Sequence, residues 1–490
     1  MTFYWYDLET FGRHPQYDRI AQFAGVRTDA ELNPIEEPLV LYCRITDDYL
    51  PDPGACLVTG ITPQTTRERG MPEYEFISRI HRELMRPNTC TVGYNSIRFD
   101  DEFIRSSLYR NFFDPYEREY TAGNSRWDLS NVVRAMHDLR PDGMRWPRNE
   151  HERPDFRLER LAEANDLTHE SAHDALSDVY ATIGLARLIQ SAQPKLFSYF
   201  FRRRKRAEVA KVIDLHRREP FLHTSPLYTR ESGCTSVLAP LTVDPNNPNA
   251  VLCYDLRYDP ELLLSAPVEL VQERLFTPSE AMSENEERIH ITSVALNKCP
   301  VVAPLSVLDD AAAERLQIDL AAAEARRARL LSEPLLTQKV TTAFSGRTFE
   351  DPKDPDLQIY SGGFFQDADR ERFAEIHAAA DAAAAGEFAP LQSLRLSFED
   401  PRIPEMLWRF IGRNYPKSFD SEQHKRWLSF CAGRILFPPA GAGIDLAEFE
   451  KKCRKFAQDK DMPPARKATV HALSQWAARL RATVLEYSPR

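Results

Sequence analysis

Two hydrophobic periods divide the chain. Residues 2–7 are an unbroken apolar and aromatic run ending in Asp7, the pattern of a strand buried on both faces. Residues 21–27 and 38–44 read as two further strands, separated by turn signals at Asp29 and Asn33-Pro34. Within 73–86 the period changes: Phe76, Ile77, Ile80 and Leu84 stand at helical spacing. A short strand over 91–94 leads into Asn95, and helices are expected over 127–139, 157–165 and 174–190. Strands followed by helices alternating with short strands make an α/β domain over residues 1–193.

Beyond Gln193-Pro194 the character shifts. Residues 220–305 are rich in Pro, Asn and Thr, with strand-like pieces at 235–238, 250–256 and 289–295 and a turn at Asp244-Pro245-Asn246-Asn247-Pro248. An Ala-rich helical stretch over 309–331 closes this β-rich region, which spans 194–348. Residues 349–356, acidic and Pro-containing, read as a linker. From there to 490, amphipathic patterns over 370–385, 404–414, 422–431, 446–459 and 465–486 describe an all-α domain.

Composition narrows the class. The chain has 490 residues, 42% of them hydrophobic, enough for two or three cores. The start, MTFYWYDLET, lacks the basic and apolar regions of a signal peptide, and no apolar run reaches the ~20 residues of a membrane span. Eight scattered cysteines form no CxxC pair, so neither a zinc site nor a disulfide framework is indicated. A soluble cytoplasmic protein fits best. The net charge of −10 argues against a nucleic-acid partner at first, but a basic track can cross an acidic surface. One candidate is the run Arg202-Arg203-Arg204-Lys205-Arg206 behind Phe197, Tyr199, Phe200 and Phe201; a solvated helix start is the alternative.

Three motifs carry candidate chemistry. In Asp7-Leu8-Glu9 at a strand end, residues two apart point the same way, so two carboxylates share one face. If buried, like charges so close need a cation between them, and oxygen ligands suit Mg²⁺ or Mn²⁺. An exposed pair is the plainer explanation of the motif alone. In Asn95-Ser96-Ile97-Arg98-Phe99-Asp100, a turn follows a strand and Asp100 opens a helix; a cap and a turn explain it equally well. His173 and Asp178 bracket the start of a long helix, with Asp174 its natural cap.

Taken in order, D-x-E, N-x-x-x-F-D and H-x₄-D resemble the DEDD exonuclease superfamily in its His-containing branch, on a ribonuclease-H-like fold. The stretches DLETFGRHPQYDRIAQFAGVRTD, YLPDPGACLVTGITP, GYNSIRFDDEF, NSRWDL and AHDALSDVYATIGLARL are similar to the bacterial exonuclease I family, as are HITSVALNKCP and IYSGGFFQDADRERF. The resemblance implies an α/β ribonuclease-H-like exonuclease domain, an SH3-like β-rich domain and a C-terminal all-α domain. It implies processive 3′→5′ hydrolysis of single-stranded DNA to 5′-mononucleotides, in DNA repair and recombination. Two Mg²⁺ ions, with Mn²⁺ able to substitute, would be held by Asp7, Glu9, Asp100 and Asp178, and His173 would deprotonate the attacking water.

By the same likeness, Thr59 and Gly60 would meet the terminal nucleotide, and Arg157 a phosphate near the site. Arg105, Tyr116, Tyr120 and Arg134 would line the strand's path, joined by Arg206, Asn249, Asn297, Tyr360 and Phe364. Tyr120 replaces a Trp usual in the family. Arg140 would contact the acidic tail of single-stranded-DNA-binding protein, and a monomer with no membrane association is expected. Two rivals stand beside this. An RNA-trimming exonuclease does not need so long an extension, and a silent DNA-binding relative does not need all five active-site residue types.

Overall fold

The computed structural model describes residues 1–167, 174–228, 231–283, 285–346, 351–439 and 443–487. Strand β1 (Thr2–Thr10) lies at the centre of a five-stranded mixed sheet. On one side it pairs antiparallel with β2 (Ile20–Thr28), which pairs with β3 (Leu39–Tyr42); on the other it runs parallel to β4 (Thr89–Gly93), and β4 to β5 (Ser125–Asp128). A central strand covered on both faces has no polar alternation, hence the unbroken run in the sequence. Phe3 and Trp5 enter one core with Val179 and Ile183 of helix Ala175–Ala192. Tyr4, Tyr6 and Leu8 enter the opposite core with Phe76, Ile77 and Ile80 of helix Glu73–Leu84.

The helix expected over 127–139 is instead strand β5 followed by helix Ser130–Leu139. Trp127 has helical spacing with the residues after it, but its backbone pairs with Val92 of β4. The stretch 309–331 is two helices, Asp310–Leu316 and Leu320–Leu331, each started by a capping aspartate (Asp309, Asp319). Between them Gln317 turns left-handed at φ 56°. Two helices, Pro53–Thr59 and Pro63–Arg69, are too short for a visible period; each opens on Pro behind a capping Asp52 or Thr62.

The second sheet is antiparallel throughout, in the order β10-β6-β7-β8-β9, with β6 Phe221–Thr224, β7 Thr235–Asp244, β8 Asn247–Asp255, β9 Ile291–Ala295 and β10 Val301–Pro304. It shares one apolar core with the first domain: Leu222, Val237 and Leu252 join the cluster holding Val132, Val133 and Met136. The C-terminal helices pack on the first domain through several apolar clusters. Phe449 and Trp476 pack with Phe11, Tyr49 and Cys56, and Phe373, Ile376 and Phe410 pack with Tyr74, Tyr109 and Phe112. Among the described residues no helix is long and apolar enough to cross a membrane.

The described part of the acidic segment read as a linker is pinned in place. Asp354 and Asp356 pair with Arg409 at 2.5 and 3.0 Å. Arg434 also bonds Asp354, and Arg413 bridges Asp356 (2.6 Å) to Asp48 of the first domain (2.9 Å). Composition showed the acids but not the arginines that meet them.

Candidate active site

Strand alternation puts Asp7 and Glu9 on the face of β1 that carries Phe3 and Trp5, past the last residue of β1 that β4 pairs, Trp5. Helix Ala175–Ala192 packs on that face, with Asp178 in its first turn. One oxygen from each of Asp7, Glu9 and Asp178 lies within 4.8 Å of the others. Asp100 begins helix Asp100–Arg110 after a tight turn at the end of β4, where Asn95 sits left-handed at φ 64°. That turn is built by Asp128, whose carboxylate accepts from the Asn95 N–H (3.0 Å), the Ile97 N–H (3.2 Å) and the Ser130 N–H (2.9 Å). Sequence reasoning missed Asp128, because the helical pattern starting at Trp127 hid the strand end on which it stands.

The electrostatics of the cluster are one-sided. Burial, then the charges of Asp100, Asp178 and Glu9, push Asp7 well above the usual carboxylate range. Burial, Asp178 and Asp100 push Glu9 up to about 9. Asp100 is raised by burial and then by Asp101. Among the described residues, the charges that act most strongly on Asp7 and Glu9 are negative, a donor set that suits a bound cation. Carboxylate oxygens alone suit a hard divalent ion such as Mg²⁺ or Mn²⁺.

The adjacent Asp101 behaves in the opposite way. Burial pushes its carboxyl up, but Arg118 and Arg126 pull it below the usual range. It accepts from the Tyr6 hydroxyl at 2.6 Å, Arg118 at 2.6 Å and Arg126 at 2.8 Å. Asp101 therefore ties β1 to the helix that begins at Asp100, a second residue the sequence reading passed over.

His173 lies outside the described residues, so its role as base stays with the proposal below. Asp174 precedes its helix without a side-chain capping bond; its carboxylate accepts from Gln22 Nε2 at 3.4 Å. A cavity of about 830 Å³ opens beside Glu9 and Thr10, lined also by Leu57, Thr59 and Phe99 and, from the C-terminal helices, by Lys452. Gly60 ends helix Pro53–Thr59 at φ 71°, a conformation that favours glycine, and Thr59 Oγ1 accepts from the Ile61 N–H at 3.1 Å.

The other expected contact residues divide into exposed and engaged. Tyr120, Phe364 and Tyr360 are exposed, and Phe364 meets the ring of Tyr116 edge-on at 5.9 Å. Arg105 is buried, bonded to Glu119 through Nε and Nη2, both at 2.8 Å. Arg134 lies over Phe156, and Arg157, exposed at the start of its helix, pairs with Asp155. In the basic run, Arg203 and Arg204 stack on Tyr199 and Phe201, whereas Arg202, Lys205 and Arg206 face solvent. Asn249 is half-buried and Asn297 exposed, its carbonyl accepting from Arg126 at 3.1 Å. Arg140 follows helix Ser130–Leu139 and pairs with Asp309 at 3.1 Å.

Comparison with known proteins covers nearly the whole chain. The family profile "Exonuclease" matches residues 4–186, "Exonuclease I SH3-like domain" residues 204–346 and "Exonuclease I C-terminal domain" residues 353–480. Exodeoxyribonuclease I of Escherichia coli K12 is 40% identical over 480 residues, covering 98% of each chain. A moderately thermophilic exonuclease I from Methylocaldum szegediense superposes with a TM-score of 0.92 at 43% identity, over 98% of this chain and 99% of the other. E. coli exonuclease I in complex with a dA16 oligonucleotide superposes at 0.91 with 39% identity and the same coverage.

Proposed function

The chain belongs to the exonuclease I family and is a hydrolase of that family; from that premise we propose that it removes 5′-mononucleotides processively from the 3′ end of single-stranded DNA, in repair and recombination. The observation that carries the chemistry is the convergence of Asp7, Glu9 and Asp178 beside Asp100, whose charges raise one another's carboxyls. Two Mg²⁺ ions held by these four carboxylates, with Mn²⁺ as substitute, would stabilise the attacking and leaving oxygens of an in-line displacement. The protein's part is to hold the four carboxylates in one place: Asp128 fixes the turn before Asp100, and Asp101 fixes its helix to β1. His173 is the candidate base for the attacking water.

The cavity beside Glu9 and Thr59 has room for a terminal nucleotide. Beyond it, Tyr116, Tyr120, Tyr360 and Phe364 offer rings for bases. Arg105, Arg134, Arg157 and Arg206 offer cations for phosphates, with Asn249 and Asn297 adding polar contacts. The Glu119 pair on Arg105 and the Asp155 pair on Arg157 would have to loosen for direct phosphate contact. Arg140, apart from this path, is the candidate contact for the acidic tail of single-stranded-DNA-binding protein. The protein is expected to act as a cytoplasmic monomer. Digestion of 5′-labelled single-stranded DNA with Mg²⁺ tests the reading: it requires shortening from the 3′ end and mononucleotide products. Faster degradation of RNA than of single-stranded DNA would overturn it.

A further inference from the structure

Two residues beyond Asp100, on the same helix, Glu102 collects donors from three parts of the molecule. Its carboxylate accepts from Arg105 Nη1 of its own helix at 3.0 Å and from Lys298 Nζ, in the turn between β9 and β10, at 3.3 Å. The third donor is the hydroxyl of Tyr360, near the start of the C-terminal domain. A carboxylate offers about four lone-pair positions, so three donors can be held together. Its side chain is 15% exposed, so solvent screens these bonds only in part.

Both incoming arms are rigidly presented. The Tyr360 turn is held from behind by Arg402, which donates to the carbonyls of Gly363 (3.3 Å) and Gln358 (3.5 Å). A Cβ on Gly362 would stand 1.7 Å from Arg402 Nη1, so a larger residue there would displace the Arg402 guanidinium from the turn. Tyr109, from the helix of Glu102, stacks on Phe365 at 5.5 Å and donates to the Pro355 carbonyl at 3.1 Å. The Lys298 turn is held by Arg126, which donates to Asn297 O while also bonding Asp101. One carboxylate thus joins the β-rich domain and the start of the C-terminal domain to the helix that bears Asp100.

We propose that Glu102 is a positioning residue: a clasp that holds both later domains onto the Asp100 helix, so that the three domains stay together around a bound strand between successive cleavages. The inference rests on the reading of the chain as a single-strand exonuclease. A lone exposed ion pair such as Glu102–Lys298 is worth little. Two arms anchored on one carboxylate must both release before the domains part, so the effect falls on strand release more than on the chemical step.

The test uses the full-length protein with Glu102→Gln, which keeps the shape and removes the charge, and separately Lys298→Met, at an exposed position. A labelled long strand is bound first; Mg²⁺ and excess unlabelled strand are then added together, and the nucleotides removed per binding event are counted. The rate of removing the first nucleotide from pre-bound strand is read alongside. Glu102→Gln should shorten the run about tenfold through faster release and Lys298→Met about threefold, with the first-nucleotide rate changed less than about twofold in either. The double variant should add little to Glu102→Gln, because both substitutions open one clasp. Unchanged runs in both variants would overturn the proposal. So would longer runs and tighter binding in Glu102→Gln, the behaviour of a carboxylate that competes with DNA phosphates. Failure of the unsubstituted protein to digest single-stranded DNA would instead overturn the functional reading.

Discussion

The carboxylates at the end of β1 and those beneath the C-terminal helices are enclosed to a similar degree, yet the chain treats them in opposite ways. Asp48, Asp354 and Asp356 are met by Arg409, Arg413 and Arg434. Burial raises Asp356, but Arg413 and Arg409 bring its carboxyl well below the usual range. Around Asp7 and Glu9 the strongly acting charges of the described residues are acidic, and both carboxyls are pushed up. Carboxylates that raise one another in this way repel, and a bound cation relieves that repulsion. Neutralised acids join domains here; unneutralised acids mark the place for chemistry. The same contrast recurs within two residues, between Asp100 and Asp101.

Removing one acid from the unneutralised group gives the largest effect. Asp7→Asn should lower turnover with Mg²⁺ on the order of 10⁴-fold, about 5 kcal/mol of barrier, because one metal ligand is lost. Without metal the same variant should be at least as heat-stable as the parent, since it removes one of several mutually repelling charges. A variant that keeps its turnover, or that melts well below the parent in EDTA, would place Asp7 with the structural acids.

How far this contrast could be read from sequence depends on how far apart the partners lie. Asp7 and Glu9 were legible because a central strand prints its burial as an unbroken aromatic run directly before them. The place of Asp100 was legible from the strand-turn-helix pattern around Asn95. Asp128 was not, because Trp127 suits a helix as well as a strand and only pairing with β4 decides. The arginines of Asp101 come from 17 and 25 residues away, and Arg413 reaches Asp48 across 365 residues. No local period encodes such pairs, which is why 349–356 read as a loose linker although its described part is held by three arginines.

The neutralised group is tested by the reverse operation. Arg413→Met keeps much of the volume but strands Asp48 and Asp356 without their shared cation. Breaking a buried pair on one side typically costs about 3–5 kcal/mol, so the melting temperature should fall. The first-nucleotide cleavage rate per folded molecule should stay near the parent's, because none of the four candidate ligands touches Arg413. A cleavage rate that falls while the melting temperature holds would break the division between the two groups.

The smallest effect comes from a buried base, on which the same desolvation acts with opposite sign. His223 in β6 is buried, and its Nδ1 lies 3.0 Å from the Tyr228 hydroxyl. Burial, and then the charge of Arg98, lower its pKa to about 4. The unfolded chain takes up this proton near pH 6.5, the folded chain only near 4, so stability is full above 6.5 and falls as the pH drops between these values. The loss should be about 2 kcal/mol at pH 5, approaching about 3 kcal/mol once both forms are protonated. At pH 5 the arginine-paired Asp48 and Asp356 stay ionised, because both are held below the usual carboxylate range, so the two effects separate along the pH axis. Denaturant unfolding at pH 7.5 and pH 5 for the parent and for His223→Gln isolates the term: the parent should lose about 2 kcal/mol more than the variant. Equal losses would mean that His223 gains a proton in the folded protein as easily as in the unfolded chain, and that burial in the β-rich domain does not govern ionisation as it does at the two carboxylate groups.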